Sequence, residues 1–387
     1  MKKDHLLLIA ALILAGLNMR PLMTSVSPLL DQLRENIGLS SLAASLLPAI
    51  PMMMMGAIAL VSAPLLQRIR LRGLLCGGLA LLVLALASRF FISQGLWLVW
   101  STVPGGIGIG IVQMAMPGLI RQRFAQRSAM ITGLWAAALM GGGGLGAALT
   151  PWISLHLGWH GALSSWSAPA LLAVMLWWWI PAASPPPQTS TAMPSVWRNT
   201  RAWMLALSFG LVNGGYAICV AWLPDFYHQL GWSAQAGGSL LGVMIACQVA
   251  GALVFPMLVK GADRRPLLVL TLVLQLGGML GLLVAPLYHP WLWAGIAGIG
   301  LGGAFPLSLV LALDHLAHPQ AGARLVAFMQ GAGFIIAGSM PFLAGQLHNL
   351  TGHFSSIWLL QSSVTVILIG LNLRFHPRSY QQAFPQR

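Results

Sequence analysis

Apolar residues in this chain do not alternate with polar ones at a strand or surface-helix period. They run in long blocks, broken by short stretches that carry basic residues, prolines or glycines. A block of about 18 or more such residues is long enough to cross a bilayer as a helix. Twelve blocks meet that length, at 5–30, 42–66, 74–92, 96–119, 129–153, 163–181, 202–225, 236–259, 266–286, 290–313, 324–347 and 355–374. The pattern predicts an all-α membrane protein. Between the sixth and seventh blocks the sequence turns to proline, serine and threonine, the composition of a linker. It divides the chain into a six-helix half at 1–181, a cytoplasmic linker at 182–201 and a second six-helix half at 202–387.

Composition agrees: 57% of residues are hydrophobic and 7% charged, where a soluble domain carries about 25% charged residues. The net charge of +14 would suit nucleic acid only if it were gathered on one face or tract. Here it is scattered between apolar blocks, so a nucleic-acid partner is not expected. Lysine and arginine instead report orientation. With the N-terminus and every second loop in the cytoplasm, 17 of the 20 basic residues fall on that side, which predicts both termini inside. The opposite loops carry Trp97, Trp100, Trp152, Trp159, Trp232 and Trp291, rings suited to the membrane interface. The first block exceeds the apolar core of a signal peptide and reads as a span. Cys76, Cys219 and Cys247 lie inside apolar blocks with no paired or metal-type spacing. Neither metal nor cofactor is expected, and the lipid bilayer is the one extended partner.

The two halves repeat. The string GIGIGIVQMAMPG from Gly106 matches GIGLGGAFPLSLV from Gly298, 192 residues later. Thr150-Pro151-Trp152 matches Met340-Pro341-Phe342. Two parallel six-helix repeats around a central linker is the layout of major facilitator transporters, with substrate held near the midplane between the repeats.

Several strings are similar to one family in particular. GLNMRPLMTSVSPLL from Gly16, GLWAAALMGGGGLGAALTPW from Gly133, NGGYA from Asn213, AWLP from Ala221, GLGGAFPL from Gly300, LALDH from Leu311 and LVAFMQGAGFIIAG from Leu325 resemble the cyanate transporter family of the major facilitator superfamily. The resemblance implies a twelve-helix inner-membrane carrier with cyanate as its named substrate, and separately a monomer is the expected working unit. The same family is associated with 2-nitroimidazole export, so an exporter of small drug-like compounds is the alternative. One departure concerns the superfamily's basic loop after the second helix. The first half has Arg68, Arg70 and Arg72 there without the acidic residue, and the second half keeps Asp263-Arg264. Arg68, Asp263 and Arg264 are therefore the candidate gating residues.

Candidate ligand residues follow from polarity at depth. Arg20 sits in the middle of the first block, where a charge faces a cavity or the bundle interior. It is either the group that takes an anion or an anchor to helix carbonyls. Pro21 removes a backbone donor and predicts a kink. Thr24 shares the Arg20 face at helical spacing, whereas Asn18 points elsewhere. Across the repeat Arg20 corresponds to Gly215 or Tyr216, with Asn213 one turn before. Gln113, Gln248 and Gln330 are isolated amides that bond either a ligand or a neighbouring helix, and Trp135 walls a cavity or packs on span eight or ten. The glycines of spans four and five read as close helix contacts, and Met52 to Met55 as packing. All six acids lie away from mid-membrane, so no carboxylate relay for protons is legible, and an enzyme is not expected. His315 and His318 fall at a span end, where solvent exposure is expected.

Overall fold

The computed structural model describes residues 2–39, 41–61, 69–180 and 196–384, and the regular structure among them is helical. Ten helical stretches are long and apolar enough to cross a membrane, and a shorter apolar helix, Leu46–Leu60, corresponds to the second block. The longest stretch, Ala125–Trp179, has 55 residues and holds two spans. Gly158 breaks it with φ 66° and ψ 173°, a backbone that side-chain-bearing residues rarely adopt. The Trp166 indole N–H donates to the Thr150 hydroxyl at 2.9 Å although the two are 16 residues apart. Sixteen residues of straight helix would separate them by about 24 Å, so the chain turns back at Gly158. Among the described residues every predicted block is helical, the first with a break. The linker sequence 181–195 and Arg68 lie outside the described residues.

The chain divides into two compact units: Met1–Leu119 with Ala138–Thr191, and Ile120–Ala137 with Ala192–Arg387. In the first unit, span one is not the single helix its apolar run suggests. It stops at Asn18 and restarts as Pro21–Thr24. Proline cannot donate the next helical hydrogen bond, and the restart is held by Met23 and Thr24 N–H groups donating to the Arg20 carbonyl at 3.0 and 3.1 Å. Beyond a 3-10 turn at Ser27–Leu29, the helix Leu30–Ile37 ends on Gly38 in the left-handed region. Span two is Ser41–Leu60, span three Leu71–Ser88 and span four Gly95–Arg123. Span five begins at Ser128, and span six follows the break at Gly158 and ends at Trp179.

The second unit carries span seven at Thr200–Gln229, capped by the Asn199 side chain, and span eight at Ala234–Met257, capped by Ser233. Spans nine to twelve are Arg265–Val284, Pro290–Asp314, Pro319–Thr351 and Ser355–Leu373. Its packing repeats that of the first unit. In span four, an added Cβ at Gly106 or Gly110 would press on Pro51 or Met55 of span two, and one at Gly108 on Gly78 of span three. In span ten, 192 residues on, Gly298 and Gly302 face Met244 and Gln248 of span eight, and Gly300 faces Thr271 of span nine. The repeated string is a repeated helix contact, made by removing side chains so that backbones approach.

Candidate functional site

The break in span one puts Arg20 at the N-terminal cap of Pro21–Thr24, with 7% of its surface exposed. Thr24 joins it as expected, its hydroxyl donating to the Arg20 carbonyl at 3.2 Å. Span five makes room for both: an added Cβ at Gly143 would lie 3.1 Å from the Arg20 Cβ and 3.5 Å from the Thr24 methyl. One at Gly142 would run into the Leu17 carbonyl, and one at Gly146 would lie 2.6 Å from the Thr24 hydroxyl. The glycine run of span five is therefore the seat of the Arg20 turn. Asn18 is turned to another task, its amide donating to the carbonyls of Leu14 at 2.7 Å and Pro169 of span six at 3.1 Å. Gln113 is buried on span four with both side-chain polar atoms unpartnered among the described residues, two helical turns beyond Gly105, where span four meets Leu22.

Trp135 clusters with the second unit. It is fully buried, 6.5 Å between centroids from Phe305 of span ten, and its indole N–H has no hydrogen-bond partner among the described residues. Phe305 continues to Phe209 at 5.6 Å and Phe209 to Phe334 at 5.2 Å, an aromatic row from span five to span eleven. Of the two spans weighed as neighbours, span ten supplies this ring contact. Asn213 donates to the Phe209 carbonyl of its own helix at 2.8 Å, and Tyr216, partly buried, packs on the core around Ile218, Tyr227 and Trp358. Gln248 keeps an unpartnered Oε1 and Gln330 an unpartnered Nε2, both in buried surroundings.

Sequence reasoning missed an amide cluster behind span seven. An added Cβ at Gly215 would fall on the Gln361 amide and lie 3.0 Å from the Gln275 amide nitrogen. Gln275 donates to the Thr365 hydroxyl at 3.3 Å, and that hydroxyl to the Gln361 carbonyl at 2.8 Å. Gln275 Oε1, both Gln361 side-chain polar atoms, Ser362 Oγ and Trp358 Nε1 remain unpartnered. The signal was present in the sequence, since Gln275 stands alone in an apolar block as Gln113 does, and Gln361 opens the polar run Gln361-Ser362-Ser363 inside another.

The gating pair also differs from the expected arrangement. Asp263 binds Arg265, two residues on, at 2.7 Å, and these hydrogen bonds hold its carboxyl below the usual range. Arg264 reaches Asp314 at 2.8 Å, and Arg121 approaches the same carboxylate at 3.9 Å while donating to the Leu313 carbonyl. His315 is not solvated as expected: it is 4% exposed, stacked on Tyr380 at 3.9 Å and edged by Phe375 and Phe384. Burial pushes its pKa down to about 4 and that of Tyr380 up to about 12.

Among known proteins, the profile of the Major Facilitator Superfamily matches residues 6–339. The cyanate transport protein CynX of Escherichia coli (strain K12) is 47% identical over 97% of this chain and 98% of its own length. The 2-nitroimidazole transporter of the same strain is 28% identical over 91% of each chain. Among solved structures, the proton:xylose symporter XylE superposes with a TM-score of 0.78 over 97% of this chain and 96% of its own, at 15% identity.

Proposed function

The chain belongs to the major facilitator superfamily of membrane transporters, and from that premise we propose that it carries cyanate, with Arg20 as the group that recognises the anion. The observation that carries the proposal is the break of span one, which seats a guanidinium inside a membrane-spanning bundle. Cyanate is a small linear monoanion. Entering an apolar interior, it must exchange its water for protein donors or pay a large desolvation cost, and a fixed guanidinium supplies charge-assisted hydrogen bonds. Arginine stays protonated at working pH, so release comes from a change of conformation rather than loss of a proton. Thr24 and Gln113 of the same unit add neutral polar groups for the ligand. The relationship to a cyanate transport protein at 47% identity supports the same cargo.

The location we propose is a bacterial inner membrane, with both termini in the cytoplasm and one chain as the working unit. Moving one net charge exchanges roughly 2.3 kcal/mol per 100 mV with the membrane potential. An inside-negative potential therefore opposes uptake of an uncoupled anion, and uptake relies on consumption of the product, a co-ion or an exchanged anion. Cyanate uptake into proteoliposomes tests the reading: Arg20→Lys keeps part of the flux and Arg20→Ala loses it. Wild-type flux through Arg20→Ala overturns the role of Arg20.

A second reading has one observation in its favour. The buried Trp135 indole, with its free N–H beside Phe305, suits a neutral heteroaromatic cargo, and the chain is 28% identical to a 2-nitroimidazole transporter. Displacement of bound cyanate by 2-nitroimidazole on the purified protein would place both in one pathway, and absence of competition removes this reading.

A further inference from the structure

Arg89 closes span three at the end away from Arg70 and Arg72, in a 3-10 turn, Arg89–Phe91. Its neighbours Phe90 and Phe91 are exposed, yet Arg89 has 0% of its surface exposed. Its Nε donates to the Ser101 hydroxyl of span four at 3.3 Å, and that hydroxyl donates onward to the Leu98 carbonyl at 2.6 Å. The two terminal nitrogens, Nη1 and Nη2, have no hydrogen-bond partner among the described residues. A guanidinium is charged at any working pH and carries its donors in a fixed fork. Two buried nitrogens of that fork without an acceptor among the described residues mark an incomplete site rather than a finished core contact.

The fold does not require a charge there. The second unit builds the corresponding corner from Trp293, which stands 192 residues after Ser101. That indole lies over Gly281 of span nine and donates its N–H to the Ala285 carbonyl at 3.0 Å. One repeat fills the corner with a satisfied ring, and the other leaves unsatisfied cationic donors. The corner also lies close to the Arg20 turn. An added Cβ at Gly105 of span four would touch Leu22 and Ala85 of span three. Arg89 lies four residues after Ala85 and Ser101 four residues before Gly105, each about 6 Å of helix from that meeting point.

We propose that Arg89 and Ser101 form a second, buried site for one small monovalent anion, the size of a halide or a linear triatomic ion, separate from Arg20. The anion accepts from Nη1 and Nη2 and neutralises the guanidinium. The site does not depend on cyanate being the cargo, because it follows from the donors of Arg89 alone.

Bromide is the probe, since its anomalous scattering separates it from water. Crystals of the full chain grown in sodium bromide are expected to show an anomalous peak within hydrogen-bond reach of Nη1 or Nη2. In detergent at constant ionic strength, bromide replacing gluconate is expected to raise the thermal midpoint saturably in the wild type and in Arg20→Gln. Arg89→Met should weaken that response by about ten- to a hundredfold in apparent affinity, the range expected when hydrogen bonds to a charged group are lost. Where Arg89→Met does not fold, Arg89→Lys and the wild-type map carry the test. Density at Nη1 and Nη2 without anomalous signal, a peak at Arg20 alone, or an unchanged bromide response in Arg89→Met each overturn the site. An Arg20 variant that loses cyanate flux but keeps the bromide response separates this proposal from the transport reading.

Discussion

Across the repeat Arg20 corresponds to Gly215 or Tyr216, 195 or 196 residues on, and the chain treats the surroundings of Arg20 and Gly215 in opposite ways. Around Arg20 the helix is broken: span one stops at Asn18 and restarts at Pro21. Around Gly215 it is not, and span seven runs unbroken through Thr200–Gln229. At the first point Gly143 of span five clears space for a charged side chain, and at the second the space beside Gly215 is taken by the neutral amides of Gln361 and Gln275. Meanwhile the span-four and span-ten glycines make the same contacts in both units. The repeat thus preserves how backbones pack and leaves free which side chain each half presents. A monoanion needs one cation, and in the proposed reading Arg20 is that cation.

The largest effect expected from breaking this asymmetry is on transport. Removing one partner of a buried charge-assisted contact costs about 2 to 5 kcal/mol, roughly thirtyfold or more in affinity. Arg20→Ala should therefore lose cyanate flux while Gly215→Ala keeps it. Equal losses in the two variants would mean that the asymmetry is not functional. Stability separates the same two points next. Gly142→Ala drives a methyl into the Leu17 carbonyl, which is backbone and cannot swing aside, whereas Gly215→Ala meets the mobile end of Gln361. Overpacking of the first kind costs up to about 3 kcal/mol. Thermal unfolding in detergent should place Gly142→Ala well below Gly215→Ala, and the reverse order would show that span one yields more easily than span twelve.

Much of this was legible in the chain. The twelve apolar blocks, the Pro21 kink and the 192-residue offset could be read directly, because membrane spans and a helix-breaking proline are local features. The pairing of Thr24 with Arg20 followed from helical spacing. The amides of Gln275 and Gln361 were visible as polar residues in apolar blocks, but a glutamine in such a block does not reveal that a glycine on another helix makes room for it. Asn18 shows the same limit from the other side: its polarity suggested a ligand, and its hydrogen bonds go to Leu14 and Pro169. His315 looked like a span-end residue in solvent because the sequence does not announce that Tyr380, Phe375 and Phe384 fold over it.

That enclosure gives the second unit a pH dependence. The folded pKa near 4 is set first by burial, against about 6.5 in an unfolded chain. Between those values the unfolded state binds more protons, so stability is fully present above about pH 6.5 and falls as pH drops toward 4. The loss should reach about 2 kcal/mol by pH 5. His315→Phe keeps an aromatic ring in the stack and removes the titration, so its melting point should be flat over the same window. A wild-type melting point that does not fall between pH 7 and pH 5 would show that His315 is open to water.

The smallest effects belong to the acids at the ends of spans eight to ten, and here order matters more than size. Asp314 takes Arg264 at 2.8 Å and Arg121 at 3.9 Å, so Asp314→Asn releases two cations from different elements. Asp263 holds Arg265, its neighbour two residues on, and Asp263→Asn releases a purely local contact. Both carboxylates are partly exposed, and such pairs contribute about 1 kcal/mol or less, so neither variant should shift unfolding strongly. Cyanate flux is the sharper measure, because span four passes from the first compact unit into the second at Leu119 and Ile120, and Arg121 lies immediately beyond. If Asp314 fixes that crossing, Asp314→Asn changes the rate of transport and Asp263→Asn leaves it near wild type. A larger effect of Asp263→Asn would instead return the gate to the Asp263-Arg264 loop that the sequence suggested, with the Arg264–Asp314 bond a bystander.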